Sequence, residues 1–200
     1  MRRHLPFFRF GQSRTMLPAP LPPDLRIETP RLVLRPLGEG DLDALVGEID
    51  DARVVRMLAR VPFPYRAGDA RAFLAASRDD MGSGTGIHLS IISRQRLVGG
   101  ISIATMPRVS EFGYWLGYAH WGRGFATEAG RAVLSYGFAV LGLRLVRSGA
   151  FTDNPASMRV QRKLGFLPTG RSKRLSLARR AVVAHIDTVV TRQRFEALLP

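Results

Sequence analysis

The sequence predicts a mixed α/β (α+β) fold, in which helices flank a mostly antiparallel central sheet of about seven strands. Residues 87–117 contain three consecutive strand-like runs separated by short connections, the pattern of an antiparallel meander. Residues 125–141 and 155–164 carry apolar side chains at helical spacing, and strand-like runs lie between and after them. The sheet is therefore expected to be mostly antiparallel early in the chain, with crossover helices later.

The first half of the chain opens with a strand and continues with three helices. Residues 31–37 alternate apolar and polar side chains, which is the period of a half-buried strand. Asp41 is placed to cap a short helix, and a second short helix is predicted over 52–60. A proline-containing stretch follows, and then a helix from about 68 to 81, which a run of glycines ends.

The meander and the second half of the chain alternate strands with helices. The predicted order is a hairpin of 87–92 and 97–104, a strand over 110–117, a helix over 125–141, a strand over 143–151, a helix over 155–164 capped by Asp153 or Asn154, strands over 165–169 and 185–191, and a helical turn over 192–199.

Composition limits the classes of protein to which the chain can belong. Two hundred residues, 46% of them hydrophobic, fit one globular domain. The absence of cysteine excludes disulfide scaffolds, cysteine nucleophiles and thiolate metal sites. His88, His120 and His185 have no metal-ligand spacing, so no metal is expected.

The N-terminal segment differs from the rest of the chain. Residues 1–23 carry four Arg and no acid, and they end in the proline-rich run LPAPLPP. This pattern predicts a basic, disordered tail before a single domain over 24–200. Charges interrupt its apolar residues, so neither a secretory signal nor a membrane span is predicted, and a cytoplasmic location is expected.

The net charge of +14 lies mostly at the two ends of the chain. Residues 144–200 hold 10 Arg and 2 Lys against three acids. Such an excess attracts polyanions, among them nucleic acid, an acidic protein or a multiply phosphorylated cofactor. Solvated surface charge in an arginine-rich chain is the simpler interpretation, and no specific nucleic acid is predicted.

The strongest chemical signal is a glycine-containing loop between the strand that ends at Gly117 and the helix that follows. Gly122 and Gly124 let backbone N–H groups approach a ligand, the helix start adds partial positive charge, and Arg123 adds a cation. The loop matches neither the Walker pattern nor the dinucleotide fingerprint, which would need glycine where Thr127 stands. The sequence thus predicts a phosphate cradle of another kind.

The run W-G-R-G-F-A-T-E-A resembles the coenzyme A pyrophosphate loop of the GNAT N-acetyltransferases. In the general form [QR]-x-x-G-x-[GA], Trp121 stands at the Gln/Arg position, Gly124 at the glycine and Ala126 at the Gly/Ala position. A tryptophan departs from the superfamily consensus, but it is the usual residue at this position in the ribosomal-protein N-terminal acetyltransferase (Rim-type) branch, which the run therefore resembles.

Three further segments resemble the same branch in the same order. They are TPRLVLRPL at 29–37, EFGYWLG at 111–117 and NPASMRVQRKLGF at 154–166, and together the similarity covers roughly 26–194. Gln161-Arg162-Lys163 stands where the family commonly has a glutamate-lysine pair, so any role for an acid there is lost.

The resemblance implies acetyl-CoA as cosubstrate and a set of contact residues. Those implied to bind the cofactor are Trp115, Leu116, Gly117, Gly122, Arg123, Gly124, Phe125, Ala126, Thr127, Asn154 and Ser157. The backbone N–H near Leu116 would polarise the thioester carbonyl, and Asn154 would hold pantetheine.

Glu111 and Ser157 are the candidate catalytic residues. Glu111 would take the ammonium proton through a water, with partial burial raising its pKa. Ser157 would protonate or hydrogen-bond the departing sulfur, and Tyr114 or Tyr118 could serve as the acid instead. For each, an ordinary structural role is the competing interpretation. His185 and Asp187 could pair, because strand alternation places them on one face.

The leading hypothesis is an acetyl-CoA-dependent N-acetyltransferase that acts in a ternary complex on a primary amine, either a small molecule or the N-terminus of a ribosomal or other protein. One alternative is a catalytically silent CoA-binding regulatory module. Another is a basic RNA- or ribosome-associated binding protein. The family resemblance is also compatible with a homodimer.

Overall fold

The computed structural model describes residues 20–105 and 110–199 as an eight-stranded sheet with helices on both faces. In chain order the elements are β1 (Ile27–Glu28), β2 (Val33–Arg35), α1 (Leu42–Ile49), α2 (Ala52–Val55), α3 (Ala67–Gly82), β3 (Gly86–Ser93), β4 (Arg96–Thr105), β5 (Ser110–Leu116), α4 (Phe125–Ala139), β6 (Leu145–Phe151), α5 (Pro155–Lys163), β7 (Leu167–Ser176), β8 (Ala181–Thr191) and α6 (Arg192–Glu196). The mixed α/β prediction is confirmed.

The strand order is β1-β2-β3-β4-β5-β6-β8-β7, and β5–β6 is the parallel pair among seven neighbouring pairs. Helix α4 connects β5 to β6, as a parallel pair requires a crossover. One apolar cluster packs α4 against one face of the sheet, and a second packs α1 to α3 against the other.

The predicted meander is confirmed, whereas the last two strands are longer than predicted. Strand β7 runs to Ser176 instead of ending at 169, and β8 begins at Ala181 instead of 185. Nearly every residue of β7 is exposed, because it is an edge strand. With neither face covered, it has no apolar alternation from which its length could be predicted. Strand β1 was not predicted, so the sheet has one strand more than expected.

The described part of the chain shows packing before the predicted domain boundary. Residues 1–19 of the predicted tail lie outside the described residues. Leu21 is buried in the larger apolar cluster, and its backbone N–H donates to the Met81 carbonyl at 3.0 Å. The folded domain therefore includes Leu21, and the predicted tail is shorter than residues 1–23. No helix in the described part of the chain has the length and hydrophobicity to cross a bilayer.

The β3–β4 hairpin turns through Arg94 and Gln95, which both have positive φ, 47° and 63°. This conformation is that of a two-residue turn that normally uses Asn and Gly, and it costs other residues about 1 kcal/mol or more each. Gln95→Gly should therefore raise the free energy of unfolding by about 0.5–1 kcal/mol in a urea titration. Gln95→Ala, which keeps the strain, should give no gain; equal effects of the two would contradict this prediction.

Candidate active site

Strands β5 and β6 separate soon after they meet, and the opening between them is the central feature of the site. They pair only at Ser110–Val146 and Glu111–Arg147. Farther along, Ser148 Oγ donates to the Phe112 carbonyl at 3.0 Å in place of a backbone bond. The opening is closed on its outer sides because β4 pairs along all of β5 and β8 along all of β6. An extended ligand can therefore insert between the two strands, and we call this opening the cleft.

The predicted phosphate cradle lies at the end of β5. Gly122 and Gly124 adopt φ of 74° and 79°, so both use the left-handed region that glycine enters without strain. Gly124 is the N-cap of α4, a helix of 15 residues, and the first turn leaves N–H groups of residues such as Phe125 and Ala126 without helical partners. These donors and the positive end of the helix dipole suit a diphosphate.

Arg31 and Glu128 hold the cradle in place. Arg31 Nη1 donates to the Arg123 carbonyl at 2.9 Å, and its Nε donates to Glu128 Oε2 at 2.6 Å. Thr29 Oγ1 donates to Glu128 Oε1 at 2.7 Å. Burial raises the pKa of Glu128, but the hydrogen bonds from Thr29 and Arg31 outweigh it, so this pKa lies below its ordinary value. The carboxylate therefore stays charged and links the segment that precedes β2 to α4.

Beside the cradle lies a groove of about 970 Å³ whose lining includes four arginines: Arg31, Arg94, Arg96 and Arg123. Four guanidinium groups in one groove favour a multiply phosphorylated ligand. Arg94 lies in the strained β3–β4 turn and Arg96 is the first residue of β4, and sequence reasoning did not connect either with the site. This groove and the cradle together fit the phosphates of coenzyme A.

Backbone direction along β5 supports the predicted role of Leu116. The N–H of Gly117 donates to the Val98 carbonyl of β4 at 3.0 Å. Because successive residues of a strand face opposite sides, the backbone groups of Leu116 face the cleft. On that side its carbonyl accepts a 2.9 Å bond from Trp121 Nε1, which places this indole at the cleft.

Two residues predicted to contact the cofactor, Trp115 and Gly117, present neither a side chain nor a backbone N–H group to the cleft. The indole of Trp115 lies over Gly100 of β4, where a Cβ would be 2.6 Å from its Nε1, and it packs in the α1–α3 cluster. The N–H of Gly117 is already bonded to β4. Thr127 is half-buried in the first turn of α4, close to the cradle.

Asn154, Ser157 and Tyr114 meet at the start of α5. Of the two predicted caps, Asn154 is the one that caps α5: its Oδ1 accepts the Ser157 N–H at 3.0 Å. Tyr114 OH donates to Ser157 Oγ at 3.0 Å. Burial raises the pKa of Tyr114 to about 12, although its bond to Ser157 opposes the shift, so the phenol stays protonated. The Ser157 hydroxyl therefore accepts a hydrogen bond from Tyr114 and can still donate its own hydrogen to a ligand.

If Ser157 protonates the departing sulfur of the predicted acetyl-CoA cosubstrate, Ser157→Ala should lower kcat about tenfold, because only Tyr114 could then supply the proton, and it should leave the Kd of acetyl-CoA within about twofold. Release of free thiol at saturating acetyl-CoA measures the effect. Ser135→Ala, in the middle of α4, is a control for loss of a helical serine hydroxyl. A wild-type kcat in S157A would show that the serine only supports the helix start.

Glu111 lies on the opposite face of the sheet from Tyr114. Its Oε1 is 3.1 Å from Arg60 Nη2, and its side chain is 36% exposed. The Glu111 carboxylate is therefore partly buried, and it forms an ion pair with Arg60. Pairing of Glu111 with Arg147, and of Gly149 with Asp187, places Glu111 on the same face as Asp187.

His185 and Asp187 form the pair that strand alternation allowed: His185 Nδ1 is 3.0 Å from Asp187 Oδ1. Among the described residues no group of His, Cys, Asp or Glu has the arrangement of a metal site. The site thus joins a phosphate cradle, a cleft between strands and polar groups on both faces of the sheet, as expected of an enzyme that binds an acyl-CoA.

Residues 31–167 match the family described as the Acetyltransferase (GNAT) domain, and the chain belongs to this family. It is 32% identical over 150 residues to the "Uncharacterized N-acetyltransferase YoaA" of Bacillus subtilis (strain 168), an alignment that covers 72% of this chain and 84% of that protein. The protein is therefore an acetyl-CoA-dependent N-acetyltransferase, and acetyl-CoA is its acyl donor.

Two solved structures share the fold at lower identity. The RimL ribosomal L7/L12 alpha-N-protein acetyltransferase, in complex with coenzyme A, has a TM-score of 0.75 at 17% identity, covering 84% of this chain and 98% of RimL. The microcin C7 self immunity acetyltransferase MccE, in complex with acetyl-CoA and AMP, has a TM-score of 0.71 at 18% identity, covering 82% and 93%.

Proposed function

We propose that the chain is a Rim-type enzyme that transfers the acetyl group of acetyl-CoA directly to a primary amine, with a protein N-terminus as the acceptor. The observation that carries the proposal is the cleft, which has Glu111 on one face and the Tyr114–Ser157 pair on the other. Proton acceptor and proton donor are thereby separated, as amide formation from a thioester requires. The likeness to RimL supports a protein acceptor.

Direct transfer follows from the groups that the chain offers. The chain has no cysteine to carry the acetyl group, so the amine nitrogen attacks the thioester carbonyl carbon in a ternary complex. Glu111 takes a proton from the ammonium through a water. The Leu116 N–H stabilises the oxyanion, and the C–S bond breaks as Ser157 protonates the leaving thiolate.

An α-amine suits this site better than a lysine side chain. The α-amino pKa is near ~8 and that of lysine is about 10.4, so a carboxylate base removes the α-ammonium proton more readily. A cytoplasmic location and a homodimer remain predictions that accompany this proposal.

The experiment compares three acceptors at equal concentration. The first is a peptide with a free serine N-terminus, the second is the same peptide with its N-terminus blocked and an internal lysine added, and the third is a small primary amine. Mass spectrometry identifies the acetylated nitrogen, and thiol release gives the rate. Acetylation of the free N-terminus alone is the expected result. Transfer to lysine alone, or acetyl-CoA binding without acetylation of any amine, would refute the proposal, the latter in favour of a silent CoA-binding module.

A further inference from the structure

We propose that His185, held by Asp187, is a second proton acceptor for the amine, on the cleft face that carries Glu111. This inference rests on the proposed transfer to a primary amine. It assigns a catalytic role to a pair for which the mechanism above has no use.

The chemistry needs two proton acceptors on the amine side. A substrate amine arrives as R–NH₃⁺ and loses one proton before its nitrogen can attack the carbonyl carbon. The tetrahedral adduct then carries an R–NH₂⁺ group, and a second proton leaves the nitrogen as the C–S bond breaks. The sulfur gains one proton, so one proton in all goes to solvent. Glu111 alone would have to discharge the first proton before accepting the second.

The side chain of His185 lies over the strand that forms one side of the cleft. It pairs with Phe151 across β6 and β8, and its ring lies over Gly149 of β6. A Cβ on Gly149 would lie 2.9 Å from His185 Nε2 and closer still to Cε1, so this position needs glycine for the imidazole to reach across β6. The ring thereby lies over β6, the strand that borders the cleft.

The hydrogen bond to Asp187 leaves the other ring nitrogen free to act as a base. With Nδ1–H donating to Asp187 Oδ1 at 3.0 Å, Nε2 carries the lone pair. Within residues 20–105 and 110–199, Nε2 has no hydrogen-bond partner, and it is accessible rather than fully buried. Asp187 is fixed in turn by Ser172 Oγ at 3.0 Å and Arg174 Nη2 at 3.4 Å. Asp187 is therefore a positioning residue.

Burial, rather than the surrounding charges, favours the neutral form of His185. Burial lowers the pKa of His185 and outweighs Asp187, which raises it; Arg174 of β7 lowers it further, and Glu111 of β5 raises it. Strand β6 presents the non-titrating Gly149 and Phe151. With a pKa below the ordinary histidine value, the imidazole is unprotonated and ready to accept a proton at neutral pH.

The test compares His185→Gln with His88→Gln in the full chain, using acetyl-CoA and the peptide with a free serine N-terminus. His88 is a matched control, because it also has a carboxylate at 3.0 Å, from Asp80, and a T-shaped aromatic contact, with Phe73. H185Q should lower kcat/KM about 10- to 100-fold near pH ~8 and leave the Kd of acetyl-CoA unchanged, whereas H88Q should match wild type.

The pH profile separates a base from a structural histidine. The ratio of wild-type to H185Q activity, in which the ionisation of the amine cancels, should be constant above the pKa of His185 and fall towards one below it. Asp187→Asn should move this midpoint to lower pH, because Asp187 raises the pKa of His185. If H185Q does not fold, the ratio of wild-type to D187N activity over pH carries the test in its place.

The outcomes distinguish the two proposals. If wild type acetylates the peptide and H185Q keeps its rate within about twofold at every pH, or the ratio does not change with pH, the role of His185 is refuted and the proposed function stands. If wild type acetylates no amine, both are refuted.

Discussion

Gly124→Ala is expected to raise the Kd of acetyl-CoA about 100-fold, which corresponds to about 2.7 kcal/mol of lost binding free energy. Gly124 has φ of 79° and is the N-cap of α4, so its backbone lies where the diphosphate is expected to contact the helix start. An added Cβ would be strained at this φ and would lie 3.3 Å from Arg31 Nη2, the side chain that holds the cradle. Calorimetric titration with acetyl-CoA measures the change.

Gly142→Ala is the matched control for that experiment. Gly142 has φ of 68°, lies in the connection after α4 and has open space around its Cβ position. Both variants should lose about 1–2 kcal/mol of stability through backbone strain, but only G124A should lose affinity. Equal affinities in the two variants would show that the cradle does not contact the cosubstrate.

Glu111→Gln is expected to lower kcat/KM for the amine about 100- to 1000-fold while the Kd of acetyl-CoA stays within about twofold. The amide keeps the shape of the side chain but cannot accept a proton. It also removes the charge that attracts the ammonium, so both binding of the amine and its deprotonation should suffer. Initial rates over a range of peptide concentrations, with acetyl-CoA saturating, separate the two effects.

Glu39→Gln controls for loss of a surface carboxylate. Glu39 also pairs with an arginine, Arg78 at 2.9 Å, and both of these side chains are exposed outside the cleft. E39Q should keep the wild-type rate. A loss below about fivefold in E111Q would exclude Glu111 as the base and leave the amine side of the reaction to His185.

Several features of the site were predictable because their signals are local. The left-handed glycines of the cradle, the start of α4 behind them and the Asn154 cap of α5 each depend on residues within a few positions of one another. Turn and cap chemistry acts over such distances, so a short stretch of sequence specifies it. The β3–β5 meander was likewise predictable from apolar runs and their turns.

Other features depend on residues that are distant in sequence. Arg31 reaches Glu128 across 97 positions, and Tyr114 reaches Ser157 across 43. The sequence alone indicates Tyr114 only as an alternative acid and gives no local reason to place Arg31 in the site. TPRL contains Arg31 and TEA contains Glu128, and both belong to segments that resemble the same acetyltransferase branch. Their occurrence in one chain is the one sequence signal that could link the two residues.

The sequence by itself determined the order of most elements, the class of fold, the cradle and the acyl donor, since local periodicity, turn residues and motif spacing specify these. Tertiary structure decided where β5 leaves β6, how far the exposed β7 runs, and that Gly149 makes room for His185 beside Asp187. These depend on which strands become neighbours. Pairing between strands that are distant in sequence, such as β6 with β8, uses backbone hydrogen bonds that most residue types can make, so no local pattern specifies it.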